Sequence, residues 1–288
     1  MPVQAPEIVT RLRAAGCVFA EEEAGLLVSA ARTPEELAVM VDRRVAGLPL
    51  EQVIGWAEFC GLRIALEPGV FVPRRRTEFL VRQALLARGG RPPPNPPRSW
   101  GEAVPPRPPR PPGEEIARQG EVIVDLCCGT GAIGAALAHA LGGAEVYAAD
   151  IDPAAVRCAR RNVPGPVYQG DLYDPLPARL RGRVGLLAAN VPYVPTGEIG
   201  FLPPEARSHE PLVALDGGPD GLDILRRVAA GAPQWLAPGG HLLIETSDRQ
   251  AAAAADAFAR YGLAPRVTRS ADLDATVVIG SKAGEVPR

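Results

Sequence analysis

Val122-Ile123-Val124-Asp125-Leu126-Cys127-Cys128-Gly129-Thr130-Gly131 is the stretch whose reading decides the fold. Its first half is apolar and rich in β-branched side chains, apart from one acid, as in a buried parallel strand. The two glycines then let the backbone approach a ligand, and let the helix expected over 132–141 approach the strand. A lone Gly-x-Gly is a weak signal. Two acids strengthen it: Asp125 inside the strand end, and Asp150 at the end of the next strand, about twenty residues on, where nucleoside-binding α/β folds place a ribose-binding carboxylate. Dehydrogenases space their glycines as Gly-x-Gly-x-x-Gly. The spacing here, Asp-x-x-x-Gly-x-Gly, is closer to that of S-adenosylmethionine (SAM) sites. Gly170-Asp171-Leu172 follows the third strand, where an adenine belongs. The expected cofactor set is Asp125, Cys127, Cys128, Gly129, Thr130, Gly131, Asp150, Asp171, Leu172 and, further along, Asn190.

Around this unit the chain alternates. Strands are expected at 121–126, 144–150, 166–169, 184–190, 241–246, 265–270 and 276–280, and helices at 132–141, 153–162, 221–236 and 248–262. Such alternation predicts an α/β fold: a Rossmann-like, mostly parallel seven-stranded sheet with helices on both faces. The last two strands have no helix between them, which implies an antiparallel final strand.

The fourth strand opens into Asn190-Val191-Pro192-Tyr193, at the sheet edge where open α/β folds bind ligands. Asn190 offers a side-chain carbonyl as acceptor. Val191 precedes a proline and is pushed toward extended backbone, which frees its C=O to face a site. Pro192 stiffens the turn, and Tyr193 supplies a flat face. Two acceptors beside an aromatic plate suit a planar –NH2 group, either an amide or an exocyclic amine of a base. These four residues are the candidate catalytic set.

Toward the N-terminus, 7–47 has helical spacing. Thr33-Pro34-Glu35-Glu36 starts one helix, with Thr33 as cap, Pro34 in the first position and Glu36 completing a capping box. A hairpin is expected at about 55–66, then a helix from 77 to about 88. Arg74-Arg75-Arg76 at that helix start is either an anion site or a solvated face. The Pro- and Arg-rich stretch 89–113 has almost no aliphatic residue and should be a linker. The domain expectation is thus 1–88, a helical N-terminal part for substrate recognition; 89–113, the linker; and 114–288, the SAM-binding part.

The net charge of −2 gives no global pull toward nucleic acid, so no direct nucleic-acid partner is expected. Five cysteines without a Cys-x-x-Cys pair or a nearby His speak against a metal site and fit a reducing cytoplasm. Cys127 and Cys128 are taken as small residues in a tight loop, since nothing nearby would lower a thiol pKa. His139, His209 and His241 have no nameable partner. There is no signal pattern and no apolar run near the ~20 residues of a membrane helix.

From about residue 48 on, the chain resembles the release-factor glutamine methyltransferases, which are protein-(glutamine-N5) methyltransferases of the class I SAM-dependent fold. The residues carrying the resemblance are Gly55 with Glu58-Phe59 and Gly61; Pro68-Gly69-Val70, Val72-Pro73-Arg74 and Thr77-Glu78; Asp125 through Gly131; Ala149-Asp150; Gly170-Asp171; Asn190 to Tyr193; Glu210-Pro211 with Ala214-Leu215; and Gly221-Leu222. The resemblance implies methyl transfer from SAM to the side-chain amide nitrogen of a glutamine in the Gly-Gly-Gln loop of a peptide-chain release factor. It gives Asn190 Oδ1 and the Val191 C=O as acceptors of the two amide N–H groups. Three places depart from the family pattern. Val191 stands where the loop usually has proline. Cys127 stands where it has its first glycine, a change expected to be tolerated only at negative φ. Arg75-Arg76 replaces a common Pro-acid pair. The rival readings are a methyltransferase acting on adenine N6 or guanine N2 of nucleic acid, and a non-catalytic SAM-binding assembly factor.

Overall fold

A computed structural model describes residues 5–89 and 120–284. The expected linker lies, but for Gly89, outside the described residues.

Four helices open the chain: α1 (Ala5–Ala14), α2 (Ala20–Ala30), α3 (Pro34–Val45) and the short α4 (Leu50–Ile54). They bury Ile8, Leu12, Leu27 and Val41 in a core of their own. At the start of α3, Thr33 Oγ1 accepts the Glu36 N–H at 3.2 Å. Glu36, however, reaches back to the Arg32 N–H at 2.8 Å and not to that of Thr33, so the expected capping box is shifted by one residue.

The hairpin forms from β1 (Trp56–Phe59) and β2 (Leu62–Ala65), paired antiparallel. A single 3-10 turn, Arg75–Thr77, leads into α5 (Glu78–Ala87). Both pieces leave the first core behind: Phe59, Ile64, Leu80 and Leu85 are buried in the same cluster as Ile123 and Leu137 of the sheet layer. Asn162 fastens the hairpin: its Oδ1 accepts the Ala65 N–H at 2.8 Å, and its Nδ2 donates to the carbonyls of Ala65 (2.9 Å) and Thr130 (2.8 Å).

The sheet layer then runs β3 (Val122–Leu126), α6 (Ala132–Leu141), β4 (Glu145–Asp150), α7 (Pro153–Ala159), β5 (Val167–Gln169), β6 (Val184–Ala189), α8 (Pro204–His209), α9 (Asp223–Trp235), β7 (Leu236–Thr246), α10 (Ala251–Arg260), β8 (Ala264–Ser270) and β9 (Ala275–Ser281). The seven strands lie in the order β5-β4-β3-β6-β7-β9-β8. β9 runs antiparallel to both of its neighbours, β7 and β8, and the other neighbouring pairs are parallel. Helices α5 and α6 cover one face and α9 and α10 the other. Strand order reverses at β3, which lies between β4 and β6, so the crevice at that switch point opens at the carboxyl ends of these strands.

Most strands differ from expectation by one residue at an end, and two of the differences matter here. β6 ends at Ala189, so Asn190 is the first residue of the loop. β7 begins at Leu236 and carries Pro238-Gly239-Gly240 inside it, a composition that hid its first half. His241 is therefore mid-strand, and its Nδ1 lies 2.9 Å from Ser281 Oγ on β9, a partner not visible in sequence.

Candidate active site

A cavity of about 620 Å³ opens at the switch point, lined on one side by Cys127, Gly129, Asp150, Asp171 and Leu172, and on the other by Asn190 to Tyr193. On the first side, Asp150 Oδ2 accepts the Gly129 N–H at 2.8 Å and Oδ1 accepts the Asp152 N–H at 2.9 Å. Those two bonds fix the carboxylate at the cavity wall, and burial raises its pKa. Asp171 pairs with Arg227 at 2.6 Å. Gly129 has φ +52° and no Cβ, leaving bare backbone on the wall.

Cys127 corrects an expectation. Its φ is +52°, inside the left-handed region, where a side chain costs about 1–2 kcal/mol. Burial, and the carboxylates of Asp150 and Asp125, push its thiol far up, and burial does the same to Cys128, so neither is poised as a nucleophile.

Asp125, Cys128, Thr130 and Gly131 do not line the cavity; they build the loop from beneath. Asp125 is fully buried, and its Oδ2 accepts the Gly134 N–H at 2.8 Å. That is the bond a capping side chain would make, and the cap position of α6 is Gly131, which has none. Burial raises the Asp125 pKa to about 8, and Oδ1 has no partner. A Cβ on Gly131 would sit 2.5 Å from Val163 Cγ2, so this glycine sets how closely the loop packs on the end of α7.

On the second side, Asn190 Nδ2 donates to Thr77 Oγ1 at 3.3 Å, while Oδ1 is buried without a partner. Val191 is 1% exposed and packs in the sheet core below the cavity wall to which it contributes. Pro192 and Tyr193 rest on a glycine turn: a Cβ on Gly217 would meet the Pro192 carbonyl at 2.6 Å, and one on Gly221 would meet the Tyr193 carbonyl at 2.3 Å. Gln250 Nε2 donates to the Tyr193 carbonyl at 2.9 Å. The Tyr193 hydroxyl donates to Glu245 Oε1 at 3.2 Å, and burial with the adjacent carboxylate raises its pKa.

Two arginines of the run are ion-paired at the cavity, which both of them line. Arg74 pairs with buried Glu210, and Arg76 Nε with Glu245 Oε1 at 3.2 Å. Sequence reasoning missed Glu245, Gln250 and the role of Thr77. The usable signal was an acid inside the apolar run Leu242-Leu243-Ile244-Glu245.

A family model described as methyltransferase small domain matches residues 114–179. A release factor glutamine methyltransferase of Geobacter sulfurreducens is 33% identical over 87% of this chain and 80% of its own length. One of Moorella thermoacetica is 37% identical over 87% of this chain and 86% of its own length. The chain belongs to the release factor glutamine methyltransferase family. It is therefore a SAM-dependent methyltransferase. A further relative, 35% identical over 77% of this chain and 69% of its own length, is the 4-amino-L-phenylalanine/4-methylamino-L-phenylalanine methyltransferase of Streptomyces pristinaespiralis.

The cavity fits the cofactor of this family. Bare backbone at Gly129, an acceptor carboxylate at Asp150 and the apolar Leu172 suit, in turn, a close-lying chain, ribose hydroxyls and an adenine. Among the described residues there is no group of His, Cys, Asp or Glu arranged to hold a metal ion, and no helix long and apolar enough to cross a membrane.

Proposed function

We propose that the chain methylates the side-chain amide nitrogen of a glutamine in a protein, and that the glutamine is that of the Gly-Gly-Gln loop of a peptide-chain release factor. The observation that carries the reading is the unpartnered, buried Oδ1 of Asn190 on the wall that faces Asp150 and Leu172. An unpaired buried acceptor costs about 1–3 kcal/mol. A substrate that donates an N–H to it recovers that cost on binding.

An amide nitrogen is a poor nucleophile because its lone pair is delocalised into the carbonyl. SAM, bound along Gly129, Asp150 and Leu172, supplies an electrophilic methyl on a cationic sulfur. What remains for the protein is placement and charge. Asn190 Oδ1 takes one amide N–H and the Val191 carbonyl takes the other, which fixes the plane of the amide. The Tyr193 ring, held by Glu245 and Gln250, bounds that plane. Positive charge growing on nitrogen is met by the two oxygens, which are fixed before the reaction begins. Proton loss follows transfer, and no strong base is required at the nitrogen. Holding the reactants in line is worth up to ~7–11 kcal/mol in favourable cases.

The test is Asn190→Ala with a bacterial class I release factor as substrate. Turnover should fall about 100- to 1,000-fold, as when one preorganised partner of a transition-state charge is removed. SAM affinity should change by a few-fold at most. Undiminished turnover would defeat the assignment. The relative named for 4-amino-L-phenylalanine makes that amino acid the right parallel substrate, since an aryl –NH2 would use the same acceptors.

A further inference from the structure

We infer that the stretch 195–214, between β6 and α9, is a docking surface for the polypeptide that carries the target glutamine, and that it seats apolar side chains of that polypeptide lying outside the loop that enters the cavity. The inference rests on the reading of the substrate as a protein.

The stretch leaves the sheet layer and returns to it at one place. The Val194 N–H donates to the Leu215 carbonyl at 3.0 Å, the Val194 carbonyl accepts the Gly217 N–H at 2.9 Å, and the Thr196 N–H donates to the Gly218 carbonyl at 2.9 Å. Between these pinned ends come a 3-10 segment (Thr196–Phe201), α8 and a second 3-10 turn (Leu212–Ala214). A compact loop with close ends normally packs on its own side chains. This one does not. Glu210 is its only buried residue, although it carries Ile199, Phe201, Leu202, Leu212 and Val213. Phe201 is 87% exposed and Leu212 58%.

What holds the stretch in place is polar. Glu210 pairs with Arg74 and accepts the Val72 N–H at 3.3 Å. Glu205 accepts from Arg44 at 2.7 Å and Glu198 from Arg249 at 3.1 Å, while Arg207 Nη1 donates to the Gly200 carbonyl at 2.9 Å. Its acids and its arginine are thus engaged within the protein, and its apolar side chains are left to the surface. One exposed apolar residue is ordinary. Several on one segment, fixed there by contacts they do not make, mark a binding surface.

Position names the occupant. Leu202, Ala206 and Val213 line the cavity; Phe201 and Leu212, each next in sequence to one of them, do not. A ligand contained within the cavity would leave Phe201 and Leu212 in water. A ligand whose reacting amide stands on a longer chain covers them as the amide enters. The docking surface is therefore continuous with the active-site wall, and what it takes is a polypeptide with apolar side chains beside the glutamine loop.

The experiment compares wild type with the double variant Phe201→Ser, Leu212→Ser and with Phe201→Leu, using a bacterial class I release factor and SAM. Both side chains are exposed and outside the cavity wall, so the double variant should melt with wild type. Its KM for the release factor should rise about 10- to 100-fold, the scale of leaving a large apolar side chain without its cover. Its kcat should stay within about twofold, and its KM for SAM should be unchanged. Phe201→Leu keeps an apolar side chain and should hold KM for the release factor within about threefold of wild type.

A wild-type KM in the double variant, with the glutamine still methylated, would overturn the docking surface and leave the substrate reading standing. A fall in kcat at unchanged KM would also overturn it, by giving the stretch a part in the chemistry and none in docking. A wild-type dimer in sedimentation that the double variant dissolves would give the surface to a second copy of this chain. A release factor left unmethylated by wild type would overturn the substrate reading, and the docking surface with it.

Discussion

Asp125, near the end of β3, and Cys127, two residues on in the loop that follows, carry different kinds of cost. Cys127 holds φ at +52° with a side chain in place. Cys127→Gly should therefore stabilise the protein by about 1 kcal/mol, the left-handed penalty less the added entropy of the unfolded glycine. A denaturant midpoint checks it, and a lower midpoint would mean that the partly buried side chain packs well enough to offset its backbone. Asp125 costs through burial. Its folded pKa is about 8, against ~4 for an ordinary aspartate. Below the lower value both states hold the proton. Between the two values only the folded state holds it, so stability falls as pH rises through that window and levels off above it. Asp125→Asn keeps an acceptor for the Gly134 N–H and does not titrate. Its stability advantage over wild type should grow from about pH 5 to about pH 8. Melting curves across that range test the sign, and an advantage that shrinks would contradict it.

Helix α8 is the element through which the first four helices reach the cavity. Its Glu205 lies on the cavity rim and accepts from Arg44 Nη1 at 2.7 Å. Arg44, in α3, also donates from Nε to Glu23 of α2 at 2.6 Å and from Nη1 to the Leu48 carbonyl at 3.0 Å. Gln52 of α4 adds a longer bond to the His209 carbonyl at the end of α8, 3.4 Å. Arg44 is buried, and its partners hold it firmly protonated. Arg44→Ala would leave Glu23 buried without its counter-ion, which costs about 3–5 kcal/mol in comparable sites. The expected result is a loss of that size in equilibrium unfolding; a loss under ~1 kcal/mol would place the pair among exposed, weakly coupled ones. None of this latch is visible in sequence. Pro204–His209 is too short and too proline-bounded for a periodic pattern, and Arg44 lies on a helix whose outer face is also charged.

Across the whole molecule, legibility follows distance along the chain. The Gly129–Gly131 loop, the acid at Asp150 and the apolar run into Asn190 are local patterns, and each stands where the spacing placed it. The antiparallel last strand followed from two strands with no helix between them, which is a statement about connection length. What the pattern could not give is the support. Asn190 meets Thr77 across 113 residues, and Tyr193 meets Glu245 across 52, so neither partner shares a periodic stretch with the residue it bonds. The left-handed Cys127 was missed for a different reason: a side chain that pays strain has no signature in composition. The central claim is that Asn190 and the loop it opens present a glutamine amide to SAM. It is tested most directly by peptide mass spectrometry of a bacterial class I release factor after incubation with this protein and SAM. The account expects one added methyl, on the glutamine of the Gly-Gly-Gln loop, and its absence when Asn190→Ala replaces wild type. A release factor left unmodified by wild-type protein that binds SAM, or a methyl on any other residue, would contradict it.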